Sequence, residues 1–155
     1  MSKFVTKLFA LLLICMMIPT AYADASMPPA DQISPDLTHA SYSWRNPARS
    51  ADYTITYVES GISALSGGLY LYGCTEADCI VDAIGGIVDV ERWEDGQWKT
   101  YMQAYFEDYG KDSCELSYTM SVEGGYYYRL VITHTAEKDV DILMITSTTK
   151  SVYVY

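Results

Sequence analysis

From Asp52 onward the chain alternates with a period of two. Tyr53, Ile55 and Tyr57 are separated by Thr54 and Thr56. Alternation of this kind sends successive side chains to opposite faces, so it predicts half-buried β-strands. Ile62–Leu65 continues past Gly61, and Gly67-Gly68 reads as a turn. Leu69, Leu71 and Gly73 then share one face of a strand, with Tyr70 and Tyr72 on the other. Between Ile87 and Trp93, Val88 and Val90 point inward and Asp89 and Glu91 outward. Glu94-Asp95-Gly96 reads as a hairpin turn, because an Asp-Gly step accepts positive φ. Trp98, Thr100, Met102, Ala104 and Phe106 alternate with Lys99, Tyr101, Gln103 and Tyr105. Glu107 to Asp112 reads as a charged loop around Gly110. Cys114, Leu116, Tyr118, Met120 and Val122 resume the alternation, and Gly124-Gly125 turns the chain again. Tyr126, Tyr128, Leu130 and Ile132 oppose Tyr127, Arg129, Val131 and Thr133, and Asp141 to Tyr155 is rich in Ile, Thr, Val and Tyr.

No stretch repeats an i, i+3, i+4 pattern over a helix length. About seven short alternating strands predict an all-β fold, a two-sheet antiparallel sandwich, with a closed barrel as runner-up. A chain of 155 residues that is 50% hydrophobic and 14% aromatic has material for one packed core and too little length for two ordinary domains.

The first residues follow a different pattern. Lys3 and Lys7 precede an apolar run from Leu8 to Ile18, Pro19 ends it, and Ala21-Tyr22-Ala23 is a small-x-small cleavage site. The run is shorter than the roughly 20 residues a membrane span needs. Residues 1–23 are therefore expected to be a signal peptide, residues 24–50 a flexible N-terminal arm, and residues 51–155 the β-domain. The expected product is secreted, extracellular and free of membrane insertion once the signal is gone. Pro28, Pro29, Pro35 and Pro47 mark the arm, within which Ser41 to Arg45 is expected to pack on the first strand. An oxidising compartment favours disulfides. Cys74 and Cys79 are the expected pair, since the four residues between them can turn back, while Cys114 could reach either across neighbouring strands. No histidine stands at ligand spacing from these thiols, so no metal or other cofactor is expected.

Charge narrows the partners. Twenty acids against ten bases give a net charge of −10, and loss of Lys3 and Lys7 makes the balance more acidic. Such a chain repels phosphate backbones and anionic membranes, so nucleic acid is not an expected partner. The chemistry of catalysis is thin. There is no Gly-x-Ser-x-Gly elbow. Ser147-Thr148-Thr149-Lys150 matches Ser-x-x-Lys, but in a strand those two positions face opposite ways. His134 follows Ile132 on one strand face and reads as a structural or surface residue. Asp78 with Asp82, and Glu107-Asp108 with Asp112, read as solvated acidic loops.

The surplus is tyrosine, fifteen residues in all. Strands favour tyrosine, so many are packing. Tyr70, Tyr72, Tyr101, Tyr105 and Tyr127 fall opposite the expected core. Rigid amphipathic rings on a sheet surface bury area at little entropy cost, which makes these five the candidate binding residues, with Trp44 on the arm as an outsider.

Three segments carry a resemblance: Gly85-Gly86-Ile87-Val88-Asp89-Val90-Glu91-Arg92-Trp93, then Gly96-Gln97-Trp98, then Gly125-Tyr126-Tyr127-Tyr128-Arg129-Leu130. Over roughly residues 60–155 the chain resembles a family of short secreted proteins of Gram-positive bacteria, described only as a domain of unknown function. The resemblance implies a secreted β-domain and supplies no catalytic residue. The layout is also similar to fibronectin type III and immunoglobulin-like sandwiches, in which Tyr126 or Tyr128 would be a corner tyrosine bonded to backbone, although the cysteine spacing does not match the immunoglobulin disulfide. The resulting expectation is a non-catalytic binding or interaction module at the bacterial cell exterior, with an extracellular protein or glycan as partner. The alternative is a self-associating structural or envelope-associated protein that uses exposed strand edges.

Overall fold

The structure is a computed structural model that describes residues 27–45, 48–50 and 52–155; the expected signal peptide lies outside the described residues. Among these residues there is no α-helix, only a single 3-10 turn at Ala30–Gln32. Eight strands follow: β1 (His39–Trp44), β2 (Ala48–Arg49), β3 (Thr54–Leu65), β4 (Gly68–Glu94), β5 (Gln97–Ser121), β6 (Tyr126–Lys138), β7 (Asp141–Thr148) and β8 (Val152–Val154). The order is β1-β3-β4-β6-β7, with β2 added on β3, β5 on β4 and β8 on β6. These pairings are all antiparallel.

The all-β, antiparallel expectation holds at this level. The expected division into two sheets does not appear: one continuous sheet curls into a half-barrel. The reason is the length of β4 and β5. Segments between the short alternating runs, including Glu107 to Asp112, are strand rather than loop. Twenty-seven residues of β4 would reach roughly 90 Å if straight, far beyond the size of such a domain. The strand therefore bends, and the pairing shows where. Its register with β5 jumps from Glu76↔Ser113 to Val81↔Lys111, five residues of β4 against two of β5, which is a β-bulge. β3 pairs along the first half of β4 and β6 along the second. Bending brings β3 against β6, β7 and β8.

That closure makes the core. Ile55, Val58, Ile62, Leu69 and Leu71 come from one half, and Val88, Val90, Leu130, Ile132, Val152 and Val154 from the other, none more than 1% exposed. Each such side chain contributes about 1.5–3 kcal/mol on burial. Two tyrosine hydroxyls tie the ends. Tyr53 donates to the carbonyls of Ala136 and Asp141 at 2.7 and 2.9 Å. Tyr128 donates to the Glu123 carbonyl at 2.8 Å, the backbone bond expected of a corner tyrosine. The arm is stitched on as well: β1 pairs with β3, and Ser34 and Gln32 exchange backbone bonds with Ser151.

Candidate functional site

Half-barrels leave an edge. β5 pairs with β4 on one side only, so among the described residues its other side, from Gln97 to Ser121, has no strand partner. A free edge presents backbone N–H and C=O groups ready to pair with another strand. On the concave side of β5, Met102 and Ala104 stand opposite Val90 and Val88, while Leu116, Tyr118 and Met120 stand opposite Gly73, Leu71 and Leu69. The bend turns these two sets toward each other. Between them lies a largely apolar groove of about 350 Å³, floored by Leu71 and Val88.

The convex side of the same strand is polar. Gln103, Glu107, Lys111, Glu115 and Ser117 alternate with the groove residues. Between Glu107 and Glu115 there are four acids against the single base Lys111, whose ammonium is held by Asp108 at 3.1 Å. Beside this run is a second hollow, about 290 Å³, walled by Ile87, Tyr105, Ile142 and Met144 with Glu107 and Glu137 among its lining. The Tyr109 hydroxyl donates to the Glu107 carboxylate, which raises the tyrosine pKa because ionisation would set two negative charges together. Tyr105, 82% exposed, borders both cavities.

The five predicted tyrosines do not form one face. Tyr70 and Tyr72 lie on the outer surface of the first half of β4, with the Tyr70 hydroxyl 3.1 Å from Ser117 Oγ. Tyr72 is half-buried, and burial is the main cause that pushes its pKa up to about 12. Tyr127 is half-buried against Tyr153, ring centroids 4.9 Å apart. Tyr101 sits elsewhere than alternation placed it. β5 pairs Thr100 with Glu91 and Met102 with Val90, so Tyr101 is the extra residue of a bulge. Its ring packs edge-on against the fully buried Tyr128 at 5.6 Å, with the Arg92 guanidinium 4.9 Å from its centroid. Tyr118 keeps the inner face that alternation gives it but is exposed there, and Tyr109, expected in a loop, is exposed on β5. With Tyr101 and Tyr105, that strand carries four of the six exposed tyrosines among the described residues.

A further aromatic row crosses the outer face at the end of the sheet. Trp98 pairs with Trp93, and Tyr127 with Tyr153. Arg129 lies 4.4 Å from the Trp98 ring and bonds Glu91 at 2.5 Å, and the Trp98 indole N–H donates to Gln32 of the arm at 2.8 Å. The bond to Gln32 fastens the arm to the sheet.

Inside the core runs a buried polar chain. His134 Nδ1 is 2.8 Å from Thr75 Oγ1, and the Thr75 hydroxyl donates to the Gly85 carbonyl at 2.9 Å. With its one proton so committed, Thr75 accepts from Nδ1–H, and Nε2 is left as the acceptor. Ser147 Oγ, 2.9 Å from Nε2, supplies that proton, and Ser60 Oγ lies 2.9 Å beyond. Burial lowers the His134 pKa to about 4, so the ring is neutral at pH 7. Ser and His stand at the distance of a nucleophile and its base. Both are at most 1% exposed, and neither lines the cavities above, so their geometry holds strands together.

The expected Cys74–Cys79 bond is not formed; Cys74, Cys79 and Cys114 are free. The turn it required is absent, because both residues belong to the single strand β4. Cys114 stands opposite Thr75 while Cys74 stands opposite Glu115, so the two thiols on neighbouring strands point to opposite faces. Among the described residues no three His, Cys, Asp or Glu side chains are grouped to hold a metal ion, and no helix is long and apolar enough to cross a membrane. Comparison with family models, with curated proteins and with solved structures finds no match to this chain.

Proposed function

We propose that this chain is a secreted, non-catalytic interaction module that takes an extended polypeptide segment on the open edge of β5. In this reading the folded-over sheet plays the part of a two-layer sandwich of the immunoglobulin or fibronectin type III kind. The observation that carries it is the one-sided pairing of β5 over Gln97–Ser121, beside an apolar groove that a neighbouring strand would cover. Strand addition draws affinity from main-chain hydrogen bonds and selectivity from alternate side chains. Both parts are present on β5, and its exposed Tyr105 and Tyr118 offer ring surface on either side of the added strand.

The test is a screen of decapeptides with alternating apolar and polar residues, each paired with a proline-interrupted twin, read by amide hydrogen exchange. Slowed exchange confined to Gln97–Ser121, and lost with the twin, is the expected result. Slowed exchange only at the row of Trp98, Trp93, Tyr127 and Tyr153 would move the contact to that row and overturn the edge reading.

A further inference from the structure

We propose that the segment taken up at β5 carries alternating apolar and basic side chains; this rests on the reading of β5 as a strand-accepting edge. In an antiparallel or parallel pair, side chains of both strands at the same level share a face. A strand added to β5 therefore places every second residue beside Met102, Ala104, Leu116 and Met120, in the groove of about 350 Å³. Apolar residues suit those positions. The intervening residues stand beside Glu107 and Glu115 on the convex face. Strands in a sheet lie about 5 Å apart, within reach of a lysine or arginine head. Such a side chain bonds Glu107 while its stem lies on Tyr105, at the wall of the hollow that Glu137 also lines.

Charge complementarity argues against other occupants. The acids from Glu107 to Glu115 outnumber the one base, Lys111, and that base is already engaged by Asp108. An acidic segment would meet like charge on the convex face at Glu107 and at Glu115. A second copy of this chain carries the same net charge of −10 and is repelled as a whole.

The probes are three decapeptides, Val-Lys, Val-Thr and Val-Glu alternating, with a backbone N-methylated version of the first. Affinity is measured by titration on the purified protein at physiological salt, and peptide-induced protection by hydrogen exchange. The expected order is Val-Lys over Val-Thr over Val-Glu, with roughly tenfold between the first and last and little binding of the N-methylated peptide. A Glu107→Lys, Glu115→Lys variant that keeps its melting temperature should narrow that gap at least about threefold. Equal binding of the three unmethylated peptides, lost on methylation, would overturn the charge preference while leaving the edge intact. Equal binding of Val-Lys and its N-methylated form would show surface attraction without strand pairing and overturn the proposal. No protection of β5 by any peptide would remove the edge reading with it.

Discussion

His134 shows what a single residue does here. Its two ring nitrogens are met by hydroxyls from Thr75 and Ser147, and burial holds the pKa near 4. The unfolded ring has a pKa near 6.5, so on acidification the unfolded state binds the proton first. The stability this neutral ring preserves is whole above pH 6.5 and is lost progressively as pH falls toward 4, by up to about 3 kcal/mol. Urea unfolding at several pH values checks this. The slope between pH 6.5 and 4 should be shallower in His134→Gln than in the parent, and parallel slopes would contradict it. Thr75→Val should cost about 1–3 kcal/mol by leaving the buried Nδ1–H unpaired. The thiols give a second expectation. Burial pushes Cys74 and Cys114 to about 11, while Cys79 is partly exposed and accepts a bond from Lys138 at 3.4 Å. A thiol reagent should label Cys79 first and the other two only on unfolding. The face on which His134 lies was legible from Ile132. Its partners were not, because Ser60, Thr75 and Ser147 come from three other strands and meet only when the sheet closes.

At the scale of elements, the bend of β4 and β5 decides the fold. Past the bend, at Gly85, the backbone of β5 comes too close for a side chain: an added Cβ would stand 2.0 Å from the Phe106 carbonyl oxygen. Gly85→Ala should therefore cost about 3 kcal/mol through overpacking, read as a lower midpoint in denaturant. A loss under 0.5 kcal/mol would show that the strands part easily there. The strand interiors were readable, since Val88, Val90, Leu130 and Ile132 are all buried as their alternation implies. The bends were not. A bulge adds a residue and resets the phase of the alternation, so the stretch from Glu76 to Val81 carries no clean period. The same effect moved Tyr101 from the outer face to the side of Tyr128. Charges at Glu107 to Asp112 suggested a loop, but a strand with one free side solvates charges as readily.

For the whole molecule, curling without closing is the feature with functional weight. A closed barrel has no edges, and a sandwich has short ones; this sheet keeps a long edge, β5, beside an open groove. Sequence alternation cannot reveal that, because it reports which face of a strand is buried and not which strand ends the sheet. Edge strands also invite self-pairing, and the net charge of −10 works against it. The protein should therefore size as a monomer at low salt, and any association should strengthen as salt screens the repulsion. Association that weakened with salt would point to local ion pairs instead.

The measurement that tests the central claim most directly is amide hydrogen exchange across β5, with and without the Val-Lys decapeptide. In the free protein, alternate amides between Gln97 and Ser121 face no partner strand and should exchange faster than their neighbours bonded to β4. Added peptide should slow that fast set and leave the β4-bonded set unchanged. Uniformly slow exchange along β5 in the free protein, or no response of the fast set to the peptide, would contradict an open strand-accepting edge.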